Sequence, residues 1–155
     1  AMALACNPDL LLADEPTTAL DVTIQAQVLH MMNELRVKYK TAMIMITHDL
    51  GVVAEMCDNV AVVYAGEIVE YGTKREVFKN PLHPYTVGLF GAIPKINENV
   101  RRLQIVKGLP PDPSNLPKGC KFNPRCPHVM KQCTKENVPM FNVEGNHMSR
   151  CLLYR

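Results

Sequence analysis

The sequence predicts an α/β fold in which a small parallel-sheet core is followed by a loop-rich, cysteine-containing tail. Three observations carry this. Two short apolar runs, Leu10–Asp14 and Thr41–Thr47, each end in polar residues, as strands of a buried parallel sheet do. Between them lies a long stretch with helical spacing of apolar residues, so the order is strand, helix, strand. Beyond Asn80 the composition changes: ten of the 12 prolines and four of the 6 cysteines lie there.

In chain order, Ala1–Cys6 reads as the last turns of a helix that Asn7-Pro8 ends, because the residue before a proline leaves the α region. A start in mid-helix implies the remainder of something longer. The run Leu10–Asp14, stopped by Pro16, reads as a strand buried on both faces. Asp21 is placed to cap a helix over about Val22–Lys40, with Ile24, Val28, Met31 and Leu35 as its apolar stripe and Gln25, Gln27 and Arg36 elsewhere on the wheel. After the second strand, Asp49 can cap a short helix over Leu50–Met56. Asn59–Tyr64 and Ile68–Tyr71 form a hairpin turning at Ala65-Gly66-Glu67. Gly72-Thr73 starts a short helix through Phe78, and His83–Pro94 holds another that packs and stops at the proline. Three or four strands make a poor doubly wound sheet, and one face is expected to stay uncovered, favouring self-association or strand exchange.

At 155 residues and 47% hydrophobic the chain can bury a core. No run approaches the ~20 apolar residues that cross a bilayer, and the first residues do not form a signal peptide. The net charge of +2 divides unevenly: residues 1–91 hold 6 basic and 11 acidic side chains (−5), residues 92–155 hold 11 and 4 (+7). Two units follow, 1–80 and 81–155. The basic residues are dispersed without interleaved aromatics, which argues against a nucleic-acid partner.

At the carboxyl edge of an open sheet, where such folds bind ligands, Asp14-Glu15 offers one acid for a magnesium ion and one to orient water. A solvated turn is the other reading of an acid pair. The full run Leu10-Leu11-Leu12-Ala13-Asp14-Glu15-Pro16-Thr17-Thr18-Ala19-Leu20-Asp21 resembles the Walker B segment and D-loop of ABC-transporter ATPase subunits, P-loop NTPases. The resemblance implies that Asp14 holds Mg2+ of bound ATP and Glu15 polarises the attacking water. It further implies that Asp21 belongs to the loop crossing to a partner subunit, and that His48 is the switch histidine at the γ-phosphate. Alone, His48 reads as a surface residue flanking a helix. No G-x-x-x-x-G-K-[ST] loop or LSGGQ-type signature occurs in these residues, so the expectation is a C-terminal part of an ATPase domain, inactive by itself.

The His83–Pro94 stretch and the tail look like the extension on ATPase subunits of oligopeptide and dipeptide importers, a branch that also includes nickel importers. Cys120, Cys126, Cys133 and Cys151 are spaced by six, seven and eighteen residues. Tight C-x2–4-C pairs typical of zinc are absent, and looser spacing suits an iron–sulfur cluster. Zinc, free thiols and disulfides remain alternatives from the residues alone. Basic neighbours Lys121, Arg125, Lys131 and Arg150 would offset the negative charge of four thiolates and a cluster, and the resemblance implies a [4Fe–4S] cluster. His128 and His147 are candidate substitutes for one ligand, although isolated histidines are more often surface residues. Cys6 and Cys57 read as core thiols.

The implied function is the ATP-hydrolysing subunit of an importer for oligopeptides or dipeptides. It would pair with a second ATPase subunit and transmembrane permease subunits at the cytoplasmic face of the membrane, and act indirectly with an extracytoplasmic substrate-binding protein. The alternatives are a metal-binding, self-associating module without catalysis, a nickel-importer ATPase, and an ABC ATPase outside transport, against which the tail speaks.

Overall fold

A computed structural model describes residues 6–92 and 106–155. The helix stop expected at Ile93–Pro94 lies outside the described residues, as does nearly all of the helix end expected at Ala1–Cys6. The chain is mixed α/β with two small sheets and falls into two compact units, Ala1–Asp58 and Asn59–Arg155.

In the first unit, β1 (Leu10–Asp14) and β2 (Ala42–Ile46) pair in parallel, from Leu10 opposite Ala42 to Asp14 opposite Ile46. The intervening α1 (Val22–Tyr39) is capped by the Asp21 carboxylate, which accepts from the Ile24 N–H at 2.9 Å. It ends at Lys40, in the left-handed region at φ 52°. The next helix, α2 (Leu50–Met56), is capped by Asp49, whose side chain accepts from the Gly51 and Val52 N–H groups. These side-chain oxygens satisfy amides that a helix start otherwise leaves unpaired.

Two expectations are corrected here. The packed stripe of α1 runs through Gln25, Val28, Leu29, Met32, Leu35 and Arg36, while Ile24 and Met31 are exposed. Gln25 and Arg36 join the buried side because their polar heads have partners. Gln25 Nε2 donates to Asp49 at 3.2 Å and Arg36 to Asp58 at 3.1 Å, so their stems can cover apolar surface. The strands are also not buried on both faces. Leu11 and Met43 meet Met32 and Leu35 of α1, but Leu12 and Ile44 on the opposite face are 65% and 51% exposed, beside exposed Leu10 and Ile46. A two-stranded sheet with helices on one side leaves the other bare, as its short strand count implied.

The second unit is a four-stranded antiparallel sheet in the order β3-β4-β6-β5, with β3 at Asn59–Tyr64, β4 at Glu67–Thr73, β5 at Phe141–Glu144 and β6 at His147–Ser149. The hairpin assigned with the first 80 residues thus shares its sheet with the tail. Thr73 and Glu76 form a capping box at α3 (Lys74–Lys79), each side chain bonding the other's backbone N–H. His83 caps α4 (Pro84–Gly91), with proline at its start. The core joins Val62, Tyr64, Val69 and Val77 to Phe122, with Tyr85, Cys120 and Cys126 packed against it. The Tyr64 and Phe122 rings meet edge to face, 5.2 Å between centroids. Among the described residues no helix is long and apolar enough to cross a membrane.

Candidate functional site

The chain makes a sharp turn where β1 ends. Glu15 sits at φ 44° and Ala19 at φ 64°, both unusual for residues with a side chain. The turn is held by the Glu15 N–H donating to the Ile46 carbonyl (2.8 Å), Thr18 N–H to the Glu15 carbonyl (3.1 Å) and Leu20 N–H to the Thr17 carbonyl (3.2 Å). Because β1 and β2 are parallel and in register, their carboxyl ends lie side by side, and this brings Glu15 to His48. His48 Nδ1 lies 2.8 Å from Glu15 Oε1, and the His48 backbone N–H donates to the same oxygen at 3.2 Å. Thr18 Oγ1 donates to Glu15 Oε2 at 3.0 Å. The exposed Asp14 carboxylate ends β1 on the bare face, next in sequence to this pair. Asp21 lies at the far end of the turn, its side chain committed to capping α1.

The hydrogen bond from His48 lowers the Glu15 pKa below 4.5, and that same bond raises His48 above 6.5. Glu15 therefore stays ionised while His48 gains a proton more readily. With Nδ1–H engaged, the protonated ring presents a second donor, Nε2–H, on its opposite edge. The raised His48 value adds stability that is present below pH 6.5 and lost as pH rises through the folded value; the lowered Glu15 value adds stability present above pH 4.5 and lost as pH falls through the folded value. The ion pair is thus fullest between the two, and the His48 ring resonances should titrate above 6.5 in an NMR pH series. In Glu15→Gln the titration should move back toward 6.5.

In the second unit, Cys120, Cys126, Cys133 and Cys151 line one cavity, together with His83, Asn123, His128 and Met130. None is in a disulfide. The loop holding the first three closes through Cys120 N–H donating to the Cys133 carbonyl at 2.9 Å. Gly119 makes that approach possible. Its φ is +70°, and a Cβ there would lie 2.2 Å from the Cys133 oxygen. Burial raises the Cys120 and Cys126 thiols and pushes Cys151 up to about 11, favouring the neutral thiol at these three. Among the described residues, no three His, Cys, Asp or Glu side chains converge to hold a single metal ion. The basic residues expected to offset a bound anion are partly committed elsewhere. Arg125 donates to the Val106 and Lys107 carbonyls and to Tyr64, Arg150 to the Ile68 and Val138 carbonyls, and Lys121 to the Pro117 carbonyl. Cys6 is exposed and Cys57 only partly buried, so neither is a core thiol.

Residues 69–133 match the family described as "Oligopeptide/dipeptide transporter, C-terminal region". The chain is 56% identical over 139 residues to the oligopeptide transport ATP-binding protein OppD of Salmonella typhimurium, covering 90% of this chain and 41% of the relative. It is 51% identical over 154 residues to the oligopeptide transport ATP-binding protein AppD of Bacillus subtilis, covering 99% and 47%. The chain belongs to the oligopeptide-transport ATP-binding protein family. It spans less than half the length of these relatives.

This oligopeptide-transport family member also holds a buried polar cluster that no local sequence pattern marks. Glu70, fully buried in β4, accepts from the Leu82 and His83 backbone N–H groups at 2.9 and 2.8 Å and contacts His147 Nε2 at 2.8 Å. His147 is therefore tied to Glu70, and it is not among the residues lining the cysteine cavity, whereas His128 is. A carboxylate with three donors organises β4, β6 and the start of α4 together. Glu70→Ala would leave those donors buried and unpaired, and should destabilise the unit by about 3 kcal/mol in urea unfolding. In the sequence, Glu70 is one residue of the hairpin strand Ile68–Tyr71, with no partner in view. The pairing of β6 onto β4, with Glu70 opposite Ser149, and the Leu82–His83 segment enclose it.

Proposed function

We propose that this chain supplies the water-activating edge of an ATP-hydrolysing subunit in an ABC importer of oligopeptides or dipeptides. The observation that carries this is the Glu15–His48 contact at the ends of two parallel strands. Phosphoryl transfer asks the protein chiefly for positioning and charge neutralisation. The ionised Glu15 would orient the attacking water, and His48 Nε2–H would face the γ-phosphate. Asp14 would hold Mg2+ through water, and Asp21 would lie in a loop facing a second ATPase subunit. Residues 1–80 would belong to the ATPase domain and 81–155 to the transporter-type extension.

The Walker A loop and signature do not occur in these residues, so the chain by itself would not turn ATP over. The complete subunit would pair with a second ATPase subunit beneath transmembrane permease subunits at the cytoplasmic face, served by an extracytoplasmic binding protein. The names of the relatives favour peptides over nickel. The test is uptake by the assembled transporter in vesicles: ATP-dependent accumulation of an oligopeptide is expected, and nickel uptake without peptide uptake would refute the assignment.

The tail would hold a [4Fe–4S] cluster on Cys120, Cys126, Cys133 and Cys151. Four unpaired thiols on one cavity supply the donor set. Their spacing of six, seven and eighteen residues, without a tight C-x2–4-C pair, favours a polynuclear group over one zinc ion. Such a group supplies a one-electron redox centre and a cross-link among distant segments. The raised thiol values mean that loading releases protons. A self-associating module is the second reading, favoured by the bare face of Leu10, Leu12, Ile44 and Ile46.

A further inference from the structure

His83 is the least expected member of the cysteine cavity. It is 1% exposed, and its ring packs 5.7 Å from that of Phe122, centroid to centroid. Two hydrogen bonds fix it. Its backbone N–H donates to Glu70 Oε2 at 2.8 Å, and its Nδ1 accepts from the Tyr85 backbone N–H at 3.1 Å as the cap of α4. The second bond determines the tautomer. A nitrogen that accepts an amide hydrogen carries no proton, so the proton of the neutral ring is on Nε2. A neutral ring also fits its burial, which lowers its pKa to about 4.

The consequence is a single N–H donor, locked by the helix cap, on a residue that lines the same cavity as Cys120, Cys126, Cys133 and Cys151. A buried N–H wants an acceptor, and thiolate or sulfide sulfur is the acceptor that a loaded cavity offers. Hydrogen bonds to cluster sulfurs favour the more negative, reduced state and are one of the main determinants of potential.

We propose that His83 is a positioning residue whose Nε2–H donates to a sulfur of the group held by the four cysteines, raising that group's reduction potential. This rests on the cluster reading above. His83 would then join the cavity to the Glu70–His147 cluster, since it lines one and its backbone bonds the other.

Two substitutions separate the halves of the ring. Asparagine matches the Nδ1 side and keeps a good helix cap, but has no donor at the far edge. Glutamine reaches the Nε2 position with an N–H donor and gives up the cap. The full chain, the His83→Asn form and the His83→Gln form would be reconstituted anaerobically with iron and sulfide. Iron and sulfide per chain would be assayed, and each form titrated with dithionite and followed by EPR. The expected result is a lower potential in His83→Asn, with His83→Gln near the unmodified chain although less stable. A purely structural role predicts the reverse, and equal potentials in all three also overturn the proposal while leaving the cluster reading intact. Failure of the unmodified chain to take up iron and sulfide overturns both. A second readout does not depend on the variants loading: with 15N-histidine, the reduced full chain should show a weak nitrogen coupling that persists in His128→Asn, and its absence overturns the proposal.

Discussion

Replacing Glu15 with glutamine in the complete subunit will lower ATP turnover by about 100-fold or more while leaving ATP binding intact. Glutamine keeps the size and one acceptor oxygen of the carboxylate but not its charge. The water it would orient loses its strongest hydrogen-bond partner, and His48 loses the group that favours its proton. Binding survives because the residues that would cradle the phosphates are not in this stretch. Isothermal titration with ATP and a phosphate-release assay read the two effects separately. A Glu15→Gln subunit with ordinary turnover would remove Glu15 from the reaction.

Cys133→Ser should have the second large effect. Cys133 is the buried one of the four cysteines, and its carbonyl closes the loop on Cys120. Serine preserves the backbone and the volume but is a poor ligand for iron. Losing a supporting contact alone costs about 10–100-fold in metal affinity, so losing a ligand should exceed that. Against about four iron and four sulfide per loaded chain, the variant should retain little of either after gel filtration. Its thermal melt should also no longer rise on loading, because only native-state binding stabilises. Cys6→Ser, at an exposed thiol outside the cavity, is the control. Full retention of iron in Cys133→Ser would contradict the ligand assignment.

Local signals were readable and distant ones were not. The bounds of β1 and α2 follow from an apolar run with a breaker and from an aspartate with its helix, all within a few residues. The Glu15–His48 neighbourhood also followed, since two parallel strands that end in polar residues must present them at one edge. The stripe of α1 differs from its sequence pattern because Gln25 and Arg36 look polar by composition and become packing residues only through Asp49 and Asp58. The β5–β6 hairpin carries almost no sequence signal. Its strands have four and three residues, and β6 pairs with β4 across some 80 positions of sequence. The turn at Gly145-Asn146, with Gly145 at φ +55°, was the one local cue. The sequence reads His83 only as the start of a packing helix over His83–Pro94. The tail fold places its ring at the cysteine cavity.

The central claim is that Glu15 and His48 act as one unit on the attacking water. Turnover by the complete subunit with Glu15→Gln, His48→Ala and both together tests it directly. A unit predicts that the double variant is no slower than the worse single one, because the first substitution already disables the pair. Losses that multiply, or a His48→Ala form that turns over at the ordinary rate, would contradict it.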